Sequence, residues 1–134
     1  EIVADILALD ADFDGLAINL EERLLQVQTY PIVLADTALG RFRIELRWEL
    51  IGRERSYEVI AETPNTPEND EGVTHPHVRD RLLCEGVGKA PIRRALAEGR
   101  LLDFFTLVRQ VLETYNPDSA YVELESREQQ TIRH

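Results

Sequence analysis

The fold of this chain is decided by the stretch Arg41-Phe42-Arg43-Ile44-Glu45-Leu46-Arg47-Trp48-Glu49-Leu50. Apolar side chains occupy every second position, and charged side chains occupy the positions between them. This period of two predicts a β-strand with one buried face and one solvated face. A turn follows, and the alternation resumes at Tyr57 and Val59. The segments 41–50 and 55–62 therefore predict an antiparallel hairpin.

Segments on the N-terminal side of this hairpin show helical spacing. Residues 1–9 place apolar side chains on one helical face, and Asp14 is positioned to cap a second helix. The second pattern consists of the apolar residues Leu16, Leu20, Leu24 and Val27. Pro31 ends it, because proline disfavours helix at the preceding residue. A short apolar strand is predicted at 32–35.

Segments on the C-terminal side form a loop and then helices. Residues 63–72 are rich in proline, asparagine and acidic residues, which indicates an irregular loop. A short helix is predicted from Pro91 to Ala97, and a long amphipathic helix at 101–114 packs on the sheet. The order predicts an α+β fold: an antiparallel meander sheet packed by an N-terminal helical region and a long helix after the cysteine loop.

Composition and charge limit the kind of protein this is. A chain of 134 residues predicts a single domain. Its formal net charge of −10 repels phosphate backbones, so we expect no nucleic-acid partner. The single cysteine cannot form an internal disulfide, and no apolar run approaches the ~20 residues of a membrane span. Because the N-terminus also lacks a signal-peptide pattern, we expect a cytoplasmic protein with no membrane partner.

An acidic segment near the N-terminus matches a calcium-loop pattern. Its residues are Asp10, Asp12, Asp14, Gly15 and Glu21, which have the spacing of the ligands and glycine of an EF-hand. Apolar residues in the second half of the pattern, and the lack of a second hand in the sequence, favour a capped helix start with solvated aspartates. Both interpretations of the segment stay open from the sequence alone.

Residues with reactive side chains are concentrated between Thr74 and Lys89. In chain order, this stretch holds two of the three histidines, the only cysteine and two glycines: His75, His77, Cys84, Gly86 and Gly88. An accessible thiolate is a strong nucleophile, and glycines let a bulky acyl group approach the backbone closely. The stretch therefore carries the candidate active site.

The same residues fit other roles. Cysteine is among the most often buried residues, and taken alone Cys84 is better explained as a small apolar core residue. His75, His77 and Cys84 also match three zinc ligands, although no second cysteine supplies the usual structural-site spacing. A cysteine–histidine hydrolase would need a third group to orient the histidine, and none is evident. We expect no bound metal and no cofactor.

The cysteine stretch and the helix after it resemble the ubiquitin-conjugating (UBC) fold. The segments that carry the resemblance are His75-Pro76-His77-Val78, Leu82-Leu83-Cys84 and Tyr115-Asn116-Pro117-Asp118-Ser119. In that family a His-Pro-Asn tripeptide precedes the thioester-forming cysteine at a similar spacing, and a later helix ends in Asn-Pro. More narrowly, the chain is similar to the prokaryotic ubiquitin-conjugating-like proteins.

This resemblance implies an acyltransferase. A ubiquitin-like protein would be received from an activating (adenylating) enzyme, held through its C-terminus as a thioester, and passed to a lysine of a target protein. The resemblance implies catalytic roles for Cys84, His77, Asp118 and Ser119, and substrate-binding roles for His75, Gly86, Gly88 and Asn116. The alternative is a catalytically inactive UBC- or RWD-like module that only binds proteins.

The chain also departs from the family pattern. His77 occupies the position of the family's asparagine, where an imidazole N–H can donate a comparable hydrogen bond. The family's Tyr-Pro-Phe-x-Pro-Pro segment is absent unless Pro64 and Pro67 are its remnant. We also expect the fold to lack the family's two C-terminal helices. The resemblance therefore implies a minimal version of the fold with partner surfaces of its own.

Overall fold

A four-stranded antiparallel sheet and three α-helices are the main elements of the part of the chain that the structure describes. The computed structural model describes residues 2–53, 55–64 and 72–114. Within these ranges the elements follow in the order α1 (Ile2–Asp12), β1 (Gly15–Asn19), β2 (Leu24–Gln28), β3 (Ile32–Leu34), β4 (Thr37–Gly40), β5 (Phe42–Arg47), a 3₁₀ helix (Trp48–Leu50), β6 (Tyr57–Ala61), β7 (Val73–His75), β8 (Val78–Arg79), β9 (Leu82–Leu83), a second 3₁₀ helix (Gly86–Gly88), α2 (Lys89–Ala97) and α3 (Leu101–Leu112).

The central sheet has the strand order β1-β2-β5-β6, and every neighbouring pair is antiparallel. Ile44 in β5 stands opposite Val27 in β2 and Val59 in β6. Strands β3 and β4 form a separate two-stranded hairpin that lies between β2 and β5 in the chain. The predicted hairpin of β5 and β6 is confirmed, and so is a strand within 32–35.

The apolar face of the sheet and the helices share one hydrophobic core. In β5 the alternating residues Phe42, Ile44 and Leu46 are all fully buried, as the period of two predicts. Helix α3 contributes Phe104, Phe105, Val108 and Leu112 to the same core, and helix α1 contributes Leu9. The predicted packing of a long C-terminal helix on the sheet is therefore confirmed. None of the helices in the described part of the chain has the length and apolarity needed to cross a membrane.

The second N-terminal helix was predicted wrongly, because residues 16–27 form the hairpin of β1 and β2. The turn is closed by Asn19, whose Oδ1 accepts a hydrogen bond from the Glu22 N–H at 3.0 Å, and Arg23 has a positive φ of 55°. Strand β2 then pairs with β5 along its whole length. Pairing with a central strand outweighs helical spacing, because it satisfies the backbone and buries Leu25 and Val27.

Asp14 begins this hairpin and does not cap a helix. Its N–H donates to the Gln28 carbonyl at 2.9 Å, and its Oδ2 accepts from Arg41 Nε at 2.5 Å. The neighbouring Asp10 and Asp12 belong to α1, and Gly15 starts β1. The segment from Asp10 to Glu21 therefore does not form the continuous loop that an EF-hand requires.

Strand β5 ends earlier than the sequence pattern predicts. The alternation continues to Leu50, but Trp48–Leu50 forms a 3₁₀ helix. Its start is fixed by two backbone hydrogen bonds, from the Arg47 N–H to the Ser56 carbonyl at 2.9 Å and from the Trp48 N–H to the Arg23 carbonyl at 3.2 Å. Trp48 packs, partly buried, against the core, so its apolar side chain still faces inward although the strand has ended.

Candidate active site

A small three-stranded sheet delivers the reactive residues to one edge of the core. Its strands have the order β7-β8-β9, and it joins the central sheet through a hydrogen bond of 2.9 Å from the Val59 N–H to the Arg81 carbonyl. His75 ends β7, His77 lies in the following turn, and Cys84 comes directly after β9. The Cys84 N–H donates to the His77 carbonyl at 2.6 Å, so these two residues are held side by side.

A surface pocket of about 190 Å³ is lined by four of the predicted site residues, His77, Cys84, Gly86 and Gly88. One wall is the loop with Cys84, Gly86 and Gly88, and the opposite wall is α3. Cys84 is partly buried, while His77 lines the pocket with only 2% of its surface exposed. The pocket therefore holds a thiol that remains partly accessible and an imidazole that is almost fully buried, which are the kinds of group that cysteine nucleophiles use.

Glu85 anchors the cysteine loop, and the sequence analysis missed it. The side chain of Glu85 is only 7% exposed and pairs with Arg93 of α2 at 3.3 Å. The Tyr57 hydroxyl of β6 donates to its other carboxylate oxygen at 2.5 Å. A buried carboxylate needs such partners to keep its charge. The loop is thereby tied to both the sheet and α2, through contacts that no local sequence pattern reveals.

The two glycines of the loop meet different geometric needs. Gly86 has a positive φ of 55°, a conformation that residues with a Cβ adopt at a cost. At Gly88 an added Cβ would lie 3.1 Å from Cγ2 of Val111 in α3, which is closer than ordinary van der Waals contact. Gly88 therefore lets the loop pack tightly against α3 and keeps the pocket narrow.

His75 lies behind the pocket, fully buried against the core. Its Nδ1 accepts a hydrogen bond from the His77 N–H at 3.0 Å, and its Nε2 is 2.6 Å from the Leu112 carbonyl oxygen at the end of α3. A carbonyl only accepts and an N–H only donates, so His75 is the neutral tautomer with its proton on Nε2. Both ring nitrogens are engaged, which places His75 in support of the pocket.

The structure also bears on the zinc alternative. Neither ring nitrogen of His75 has a lone pair available for a metal. In the described part of the chain, no group of three or more His, Cys, Asp or Glu side chains could hold a metal ion.

Three of the predicted site residues, Asn116, Asp118 and Ser119, lie outside the residues that the structure describes.

Comparison of the chain with protein-family models, with curated proteins and with solved structures gives no match. The UBC interpretation therefore depends on the sequence resemblance and on the site geometry. The described fold is a mixed α+β architecture with an N-terminal helix, an antiparallel sheet and C-terminal helices.

Proposed function

We propose that this protein is a ubiquitin-like-protein conjugating enzyme with a UBC-like fold. It carries the C-terminus of the modifier as a thioester on Cys84 and passes it to a lysine of a target protein. The observation that carries the proposal is the pocket in which Cys84, His77, Gly86 and Gly88 meet. These residues come from the segment that resembles the family, and their convergence supports a shared chemical role.

The order of the elements supports the same proposal. An N-terminal helix, a four-stranded antiparallel sheet, a cysteine loop and a following long helix occur in this sequence along the chain. The resemblance implies this order. The β3–β4 hairpin is inserted between the second and third strands of the sheet, so the strands of the central sheet still pair in chain order.

The proposed reaction consists of two acyl transfers. The Cys84 thiolate attacks the carbonyl carbon of the modifier's thioester on the activating enzyme, a new C–S bond forms, and the enzyme's thiolate leaves. A lysine amine then attacks the Cys84 thioester, the C–S bond breaks, and the amine loses a proton as the amide forms. An N–H of the His77 imidazole would stabilise the oxyanion in both steps. Asp118 and Ser119 would meet only the incoming amine.

The direct test is adduct formation by the wild-type protein. We expect that incubation with its cognate activating enzyme, the ubiquitin-like protein and ATP produces an adduct that reducing agent removes, because a thioester exchanges with added thiol. Genes adjacent to that of this protein, encoding an adenylating enzyme and a small protein ending in glycine, would identify the cognate components. Denaturing electrophoresis with and without reducing agent measures the adduct. If an established conjugating enzyme becomes charged in parallel and this protein does not, the binding-module alternative replaces the proposal.

Asp118→Ala and Ser119→Ala are expected to leave adduct formation intact and to slow discharge. These side chains would orient or desolvate the attacking amine, which is absent during charging. We expect discharge to free lysine to fall by about 10- to 100-fold, the range for a lost positioning or proton-accepting group. A chase of the isolated adduct with lysine gives the rate. Equal slowing of charging and discharge would contradict these roles.

A further inference from the structure

A second cavity continues the active-site pocket along the helices. It lies between α2 and α3 and has a volume of about 390 Å³. Leu107 and Gln110 line both cavities, so the two form one groove from Cys84 to Arg94. We propose that this groove binds the extended C-terminal segment of the acyl donor, and that an acidic side chain of that segment contacts Arg94. This inference rests on the proposed function.

The small size of the pocket at Cys84 favours a ligand that continues beyond it. The pocket at Cys84, about 190 Å³, is smaller than the roughly 300–1,000 Å³ of sites that enclose a whole ligand. It accommodates only the end of an acyl chain, and the rest must continue outward. Val111 in the first cavity follows Asp103 in the second by eight positions of α3. That is about 12 Å at the helical rise, or about four residues of extended chain.

The charges along the groove favour an acidic segment. Arg100 is neutralised by Glu98 at 2.7 Å and by Asp103 at 2.6 Å. Arg94 is exposed, and among the residues that the structure describes it forms no ion pair. In a chain with a net charge of −10, a cation of this kind beside a groove is a natural contact for a carboxylate of the ligand.

Two peptide thioesters test the groove without the activating enzyme. The probes are acetyl-Glu-Glu-Ser-Gly-Gly and acetyl-Arg-Arg-Ser-Gly-Gly, each as the thioester of mercaptoethanesulfonate. The Cys84 thiolate attacks the terminal glycyl carbonyl, a C–S bond forms, and mercaptoethanesulfonate leaves as a thiolate, with no oxidant needed. Because Cys84 is the only cysteine, the mass increase of the intact protein reports its acylation.

The variants compared are Arg94→Glu and, as a control with the same change of net charge, Arg53→Glu. Arg53 is exposed in the turn before β6 and lines neither cavity. We expect the ratio of acylation rates, acidic probe over basic probe, to fall about fivefold in Arg94→Glu relative to wild type. We expect it to change less than about twofold in Arg53→Glu, since only long-range charge changes there.

Two results would overturn the groove proposal. One is an equal change of the rate ratio in both variants, and the other is no acylation of Cys84 by either probe. The outcome is separable from that of the proposed function. If the activating enzyme charges the protein but Arg94→Glu does not change the rate ratio, the groove proposal is wrong and the proposed function stands. If peptide acylation depends on Arg94 but the activating enzyme does not charge the protein, the proposed conjugating function is wrong and the peptide-binding groove stands.

Discussion

Cys84→Ala is expected to abolish adduct formation with the ubiquitin-like protein. The chain has one cysteine, so no other thiol can form a thioester after this substitution. The expected effect is a loss of all detectable charging, in the same electrophoretic assay that reveals the wild-type adduct. An adduct that persists in Cys84→Ala and resists reducing agent would place the modifier on an amine and contradict the proposed role of Cys84.

Cys84→Ser is the matched variant, because it keeps a nucleophilic atom at the same position. An alkoxide is a poorer leaving group than a thiolate, so the expected product is an oxyester that forms slowly and then resists reducing agent. Mild hydroxylamine or alkali should release it. Both substitutions are small, and Cys84 is only partly buried, so thermal unfolding should remain within a few degrees of wild type. A large drop in melting temperature would instead indicate that the thiol is a core residue.

The parts of the fold that were predicted correctly have burial patterns that coincide with local periodicity. Strand β5 was predicted correctly because Phe42, Ile44 and Leu46 lie on one face of a central strand and are buried in the core. Helix α3 reads correctly because its apolar residues recur at helical spacing along twelve residues. In both elements one face is buried and the other is wet, so the period is visible in the sequence.

The hairpin of β1 and β2 was predicted wrongly because its apolar residues have the spacing of a helical face. Leu16, Leu20 and Leu24 are four positions apart, but they lie in β1, in the turn and in β2. A helix and a hairpin are therefore both compatible with this spacing. The features that decide between them are the side-chain turn at Asn19 and the availability of β5 as a pairing partner. The first is a weak local signal and the second is a long-range contact, and neither appears in a periodicity count.

The candidate site could likewise be predicted only in part from the sequence. Cys84, His77 and the glycines were identifiable because few residues of these types occur and they lie close together in the chain. Glu85 was not, because its role depends on Tyr57, which is 28 positions away, and on Arg93 of α2. The sequence also could not predict the wall of the pocket that α3 forms, because Gln110 and Val111 occupy ordinary positions of an amphipathic helix.

His75→Ala is expected to lower the free energy of unfolding by about 2–5 kcal/mol. The fully buried imidazole packs edge-on against Phe42, with ring centroids 5.6 Å apart. Its removal leaves a cavity and deprives the His77 N–H and the Leu112 carbonyl of a hydrogen-bond partner. Each buried polar group left unsatisfied costs about 1–3 kcal/mol. Urea unfolding followed by the fluorescence of Trp48, the only tryptophan, gives the value, and a loss below about 1 kcal/mol would contradict it.

Two conservative substitutions separate the support of the pocket from the stability of the fold. In His75→Asn the amide oxygen falls near the place of Nδ1 and can still accept from the His77 N–H. In His75→Gln the amide nitrogen falls near the place of Nε2 and can still donate to the Leu112 carbonyl. Each variant therefore keeps one of the two hydrogen bonds that the structure gives to His75, and we expect the two to lose similar amounts of stability.

Their effects on charging should differ, because only one of these hydrogen bonds leads to the thiol. The bond to the His77 N–H fixes the backbone of His77, whose carbonyl in turn holds the Cys84 N–H at 2.6 Å. His75→Gln loses that bond, and a nucleophile misplaced by even ~1 Å reacts up to about 100-fold more slowly. We expect charging of Cys84 to slow about tenfold or more in His75→Gln and by less than about threefold in His75→Asn. Single-turnover charging, measured at a temperature where both variants are folded, decides the matter. Equal rates in the two variants would show that His75 only holds α3 in place and has no part in positioning Cys84.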